Sequence, residues 1–335
     1  MSNVTVFVGL DYHQSSIRVC VMDRDGHSLS NFRCPNNVDE LLRRAGLAGR
    51  SVHAAVECCT GSADFAEELI QKAGWIVDLA HPGYVSRMKQ SPDKTDCTDA
   101  QLLADLVRVG YLPLVWLAPH EIRELRRIVR YRQQLVEERR DTKLRIGALL
   151  RDQRVRPPQP WRRWTKAWLA WLRHTTELSE QGRWIIDQYL ERLNRLKDEV
   201  ATVENRLQAM TEEDAQVIEL LKRPGIGSVT AWTMRAEIGR FDRFRSGKQL
   251  ARFCGLSPRN VSSGERQADA GLVKAANPQL RAVLIQAAHR LRRYEPRWQK
   301  LASRLAGHGK PGSVVVAAVA NRWIRGLFHQ MQPAA

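Results

Sequence analysis

Residues 4–11 read Val4-Thr5-Val6-Phe7-Val8-Gly9-Leu10-Asp11. The run is apolar and β-branched, and it stops on a carboxylate, which predicts a strand. Ile17 to Met22 is a second such run. Asp23-Arg24-Asp25-Gly26 then signals a turn, and Ser28 to Arg33 reads as a third strand. Asn37 with Glu40 three residues on resembles a helix cap ahead of Leu41-Leu42. Val52 to Val56 is a fourth strand ending on Glu57, Ser62 to Ala73 a helix, Trp75 to Leu79 a fifth strand, and Thr98 to Val109 a further helix. Three consecutive strands followed by alternating helix and strand predict a mixed α/β sheet domain.

From about His120 the pattern turns to long helices. Glu121 to Arg154 is charged, with Leu125, Ile128, Leu135 and Leu149 as apolar points, and Pro157-Pro158 and Pro160 end it. Trp161, Trp164, Trp168 and Trp171 recur at helical spacing, which favours a core stripe over a base-stacking surface. Ile186, Tyr189, Leu193, Leu196, Val200, Val203, Leu207 and Met210 alternate at three and four, the pattern of a coiled coil. The two charged helices could close on each other as a hairpin or pair with a second protomer. A third, all-helical region begins near Leu220, punctuated by Gly225, Gly227, Gly255, Gly264 and Gly271.

Charge locates the partner. The 335 residues carry a net +17, and a protein this basic commonly meets a polyanion. The charge is uneven. Residues 1–110 hold 11 Lys and Arg against 14 Asp and Glu, whereas residues 121–156 hold 12 against 6 and residues 259–335 hold 13 against 3. The basic surface therefore belongs to the middle and the end, and the carboxylate excess to the beginning. No stretch approaches 18 apolar residues, which argues against a membrane span. Met1-Ser2-Asn3-Val4 lacks the start of a signal peptide. The six cysteines show no CxxC spacing, which disfavours a zinc module and a disulfide framework. The expectation is a cytoplasmic protein with reduced thiols.

Three constellations could carry chemistry. Asp11 and Glu57 each end a predicted strand, and Asp96 and Asp99 stand three apart at the start of a predicted helix, hence on one face. Singly, each fits a turn former or a helix cap. Together they suit two magnesium or manganese ions about 3.5–4 Å apart, as in phosphodiester cleavage. Lys222-Arg223-Pro224-Gly225-Ile226-Gly227-Ser228-Val229-Thr230 reads either as a tight turn or as a hairpin offering backbone N–H groups to a phosphate, as in helix-hairpin-helix motifs. Cys254-Gly255-Leu256-Ser257-Pro258 leads to Ser262-Ser263-Gly264-Glu265-Arg266, ordinary loop composition that also offers a hydroxyl.

The order of these features resembles the DEDD transposases of insertion-sequence family one-ten, relatives of the pilin-gene invertases and described as bridge-RNA-guided recombinases. The specific parts are Lys94-Thr95-Asp96-Cys97-Thr98-Asp99-Ala100 and Gly255-Leu256-Ser257-Pro258 through Ser263-Gly264. The resemblance spans essentially the whole chain. It implies a RuvC-like, RNase H-like domain over 1–115, a helical coiled-coil region over 116–215 and an all-α transposase domain over 216–335. It also implies a tetrad of Asp11, Glu57, Asp96 and Asp99 holding Mg2+ or Mn2+, and a serine nucleophile at Ser263, with Ser262 beside it. The implied partners are donor and target DNA, a non-coding guide RNA and further copies of the chain in a dimer or tetramer, in the bacterial cytoplasm or nucleoid. Tetrad and serine would face one scissile phosphate in the assembled complex. Two other readings stay open: a RuvC-like structure-specific nuclease that uses water, and a non-enzymatic nucleic-acid scaffold.

Overall fold

In the computed structural model the opening apolar run is an inner strand of a sheet, β1 (Val6–Tyr12), followed by β2 (Ser16–Met22) and β3 (Ser28–Pro35). The structure describes residues 4–88, 96–158, 162–260 and 269–332. They fall into two compact units, Met1–His120 and Glu121–Ala335. In the first, α1 (Val38–Ala45), β4 (Val52–Glu57), α2 (Ser62–Ala73), β5 (Ile76–Ala80), α3 (Pro82–Val85), α4 (Asp96–Arg108) and β6 (Leu114–Val115) complete the element order. The predicted cap is present: Asn37 accepts from the Glu40 amide, and Gly46 closes α1 in the left-handed region.

The sheet order is β3-β2-β1-β4-β5-β6. β1 is antiparallel to β2 and parallel to β4, β4 is parallel to β5, and β6 adds an antiparallel edge. Side chains alternate across β1. Val6, Val8 and Leu10 share a core with Val38, Leu41, Phe65 and Leu69 of α1 and α2. The other face meets α4: Cys20 and Met22 pack on Ala100 and Ala104, and Ala55 and Ala80 on Leu103 and Val107. Gly9 makes this approach possible, because a Cβ there would lie 1.9 Å from the Ala100 carbonyl oxygen. This mixed sheet domain followed by helices is compatible with the RNase H-like architecture implied by the resemblance.

The second unit opens with α5 (His120–Asp152), α6 (Lys166–His174) and α7 (Glu180–Met210). α5 and α7 form an antiparallel hairpin within one chain, fixed by Arg132–Glu204 at 2.6 Å and Arg192–Glu138 at 3.2 Å. Leu135, Leu196 and Val200 fill the seam. Of the two closures open to the heptad, the structure uses the hairpin; Met210, its last member, is 42% exposed. At the far end Trp168 and Leu172 of α6 pack against Ile146, Leu150, Ile186 and Leu190. The tryptophans do not share one helix face as expected, because α6 starts only at Lys166 and Trp164 stands before it with φ +70°. Trp161 lies outside the described residues.

The chain continues through α8 (Ala215–Leu221), α9 (Ser228–Ile238), α10 (Gly247–Phe253), β7 (Pro258–Asn260), β8 (Asp269–Leu272), α11 (Pro278–Tyr294), α12 (Pro296–Gly307) and α13 (Gly312–Gln330). Their apolar faces meet in one core with Leu125, Val129 and Leu207 from the hairpin. The expectation of an all-α region is corrected here: β7 and β8 pair as an antiparallel ribbon, Pro258 opposite Leu272 and Asn260 opposite Asp269. A ribbon three and four residues long carries too little periodicity to stand out from loop sequence. No described helix is long and apolar enough to cross a membrane.

Candidate active site

Asp11 and Glu57 stand at the carboxyl ends of two parallel neighbours, β1 and β4. Period-two alternation puts Asp11 on the Gly9 face and Glu57 on the Ala55 face, which is the face α4 covers. α4 runs opposite to β1. Its last residue, Arg108, donates to the Arg24 carbonyl by the β2–β3 turn, at the start of β1. Its first turn reaches the other end, where the Asn31 amide donates to the Cys97 carbonyl at 3.3 Å. The helix start carrying Asp96 and Asp99 thus lies toward the sheet edge where Asp11 and Glu57 end their strands. Asp99 is only 7% exposed.

Several neighbours fix this edge. Arg18, the cross-strand partner of Asp11, donates from Nε to Asn31 Oδ1 at 2.6 Å. An Arg18–Asn31–Cys97 chain therefore ties β2 and β3 to the first turn of α4. His13 Nε2 lies 3.2 Å from Asp11 Oδ2. Beyond Glu57 the strand turns tightly into α2: Ser62, fully buried, donates to the Cys59 carbonyl and accepts from the Cys59 amide. The Cys59 thiol has its pKa raised, first by burial and then by negative neighbours that include Glu57 and Asp11. Both carboxylates thus act on one nearby atom.

The described carboxylates are neighbours without being in contact as a group. Among the described residues, the ligand-capable group whose atoms all lie within 4.8 Å of one another is Asp23, Asp25 and His27. That group is turn chemistry, since Asp23 Oδ1 accepts from the Asp25 and His27 amides. These bonds, the His27 amide first, hold the Asp23 carboxyl below its usual range. Asp11, Glu57 and Asp99 do not form so tight a group. Their hard oxygen donors, set at one edge, fit a divalent cation.

In the second unit residues 222–227 turn the chain between two helices, which both readings of that segment share. α8 and α9 flank residues 222–227, and Gly225 turns the chain at φ +81° with Leu291 at its back. Ile226 anchors the turn in the core, and Gly227 caps α9. The Gly-Leu-x-Pro segment is equally constrained. Gly255 ends α10 at φ +67°, where a Cβ would lie 2.7 Å from Ala276 Cβ, and Leu256 is buried. Ser262 and Ser263 belong to the β7–β8 connection and lie outside the described residues.

The comparisons fall on these two regions. Residues 8–154 match the model of the IS110-type DEDD transposases, and residues 219–303 match that of the Transposase IS116/IS110/IS902 family. The chain is a DEDD transposase of the IS110 family. A family 20 transposase of Pseudomonas aeruginosa is 28% identical over 332 residues, covering 96% of this chain and 95% of that one. The transposase for insertion sequence element IS1328 of Yersinia enterocolitica is 24% identical, covering 97% and 96%. A transposase of Sinorhizobium fredii is 29% identical over 238 residues, and there the match spans little more than half, 56%, of the relative's length. The transposase is thus an enzyme acting on DNA, in a family that generally uses divalent metal ions. His13, Arg18 and Asn31 were not evident in its sequence. Only the strand register and the docking of α4 bring them to the acidic edge, whereas Gly9, a glycine inside a strand, is a legible signal of close backbone approach.

Proposed function

We propose that this transposase excises and inserts its element by serine-linked strand exchange at sites chosen by a structured guide, or bridge, RNA. Asp11, Glu57, Asp96 and Asp99 hold Mg2+ or Mn2+, and Ser263 is the nucleophile. The observation that carries the reading is the opposed run of α4 against β1. It brings two pairs of acids, separated in sequence, toward one sheet edge. When bound, divalent ions supply Lewis-acid stabilisation of charge on the phosphate oxygens. The chain's own part is positional: Arg18 and Asn31 hold the first turn of α4, and His13 steadies Asp11.

In the reaction Ser263 Oγ bonds to phosphorus and loses its proton, while the bond to one deoxyribose oxygen breaks and that oxygen leaves as a hydroxyl. Attack by the hydroxyl of a new strand reverses the exchange, so the phosphodiester energy is conserved and no nucleotide is consumed. Recombination joins two DNA partners, so the working form is a dimer or tetramer in the cytoplasm or nucleoid. Base pairing by the guide would read sequence while the protein reads backbone. The excess of Lys and Arg in residues 121–156 and 259–335 supports that division of labour.

The test is a suicide-substrate assay with guide RNA present. A protein–DNA adduct is expected that disappears with Ser263→Ala and survives Ser262→Ala. Asp11→Ala or chelation should stop cleavage with DNA and RNA retention intact. Cleavage at the normal rate by Ser263→Ala, with no adduct from either protein, establishes the water-using nuclease instead.

A further inference from the structure

Residues 278–330, which contain α11, α12 and α13, hold ten Lys and Arg against one acidic residue, Glu295. Some arginines elsewhere in this unit face carboxylates, as Arg130 faces Glu237 and Arg235 faces Asp214. Among the described residues, no carboxylate lies within ion-pair distance of Arg290, Arg293 or Lys310. Leu280, Leu284, Ala287, Ala288 and Leu291 bury one side of α11. On the other side His289, Arg290, Arg293 and Tyr294 are exposed and share one face by their spacing. Like charges at such spacing cost stability in the free protein, so this face is suited to an anion rather than to the fold.

The exposed face is a ridge between two open clefts. One, of about 260 Å3, is lined by Gly225, Gly227, Arg290, Tyr294 and, at its edge, Glu295, and so includes the 222–227 turn. The other, of about 890 Å3, is lined by His289, Arg292, Arg293, Ser303 and Lys310. Cations therefore stand on both sides of one helix, with glycine backbone at one margin. Guanidinium groups and exposed amides are the donors that phosphate oxygens accept from. A surface open at both margins admits a polymer where an enclosed pocket would admit a small anion.

We propose that the exposed face of α11 is a track for the sugar-phosphate backbone of duplex DNA, passing from the 222–227 turn across Arg290 and Arg293 to Lys310. The inference rests on the chain's acting on DNA and is independent of the serine and guide readings, since its test measures binding and not cleavage. DNA is the occupant because the chain acts on DNA; RNA offers the same phosphate chemistry and is assayed as the competing outcome.

The variant is Arg290→Gln, Arg293→Gln and Lys310→Gln in the full chain, all at exposed positions. The control removes equal charge from the first unit: Arg43→Gln, Arg44→Gln and Lys72→Gln, whose cations are already paired with Glu40, Asp39 and Glu68. Affinity for a duplex DNA and for a hairpin RNA is followed by fluorescence anisotropy across a salt series. Each phosphate contact on duplex DNA contributes about 0.9 to the log–log salt slope, so three lost contacts lower it by about 2.7 and shrink the fall in affinity between 50 and 200 mM salt about 40-fold. A reduced slope in the DNA arm supports the proposal, and a reduction confined to the RNA arm overturns it. An unchanged slope in both arms, or an equal change in the control, overturns the proposal.

Discussion

Gly9→Ala isolates what the fold does for the acidic edge. The added Cβ would lie 1.9 Å from the Ala100 carbonyl oxygen and 2.5 Å from the Ala104 amide nitrogen, both helix backbone atoms. A carbon–oxygen contact is comfortable at about 3.4 Å, so α4 must move about 1.5 Å away from β1. Overpacking of this kind costs about 1–3 kcal/mol where side chains can yield, and here no flexible side chain is available. We expect about 3 kcal/mol of destabilisation, read in a urea titration as a lower midpoint with little change in slope. The same movement carries the first turn of α4 away from the ends of β1 and β4. A displacement near 1 Å can cost about 100-fold in rate, so strand cleavage should fall by at least that factor under conditions where the variant is still folded. Ala at the neighbouring Val8 would make a cavity on the opposite face and spare the placement of α4. A Gly9→Ala protein with a midpoint and cleavage rate equal to those of the parent would refute the claim that this close approach sets the edge.

Leu196→Ala, in the seam of the α5–α7 hairpin, should cost about 3 kcal/mol; because the seam closes within one chain, the loss should appear in thermal melting independently of protein concentration. Glu237 is 5% exposed and accepts from Arg130 at 2.9 and 3.1 Å. Glu237→Ala leaves Arg126 and Arg130 without that partner and should lower stability by about 2 kcal/mol, less than for a fully buried pair because both arginines reach solvent; a denaturation midpoint unchanged from the parent's would contradict this. Hydrogen bonds from Arg43 and then Arg44 hold the Glu40 carboxyl at about 2, below its ordinary 4.5. A depressed carboxyl stabilises above its unfolded value and loses that contribution as pH falls through the window from about 4.5 to about 2. Arg43→Gln with Arg44→Gln should therefore flatten the acid limb of the unfolding curve there, and an identical limb would rule the contribution out.

Much was decided by the sequence alone. The runs from Val4 and from Val52 had to be strands, because short β-branched segments ending on turn signals have no competing helical period. The turn at 222–227 was readable as well, since Pro-Gly-x-Gly between helical patterns leaves few other conformations. The four acids could be picked out by residue type and by their places at element ends, and the transposase family followed from their order with the later motifs. The tertiary structure alone decided the direction in which α4 crosses β1, and with it which end of the sheet receives Asp96 and Asp99. It also decided that Arg18 and Asn31 serve that helix start, and that the heptad from Ile186 is closed by α5. The β7–β8 ribbon, the start of α6 only at Lys166 and the basic ridge of α11 belong to the same group. The physical reason is common to all of them. Periodicity and turn chemistry act between residues a few positions apart and are written along the chain. Helix direction, strand register and the pairing of distant charges depend on which apolar faces pack together, and that packing couples residues tens to more than a hundred positions apart.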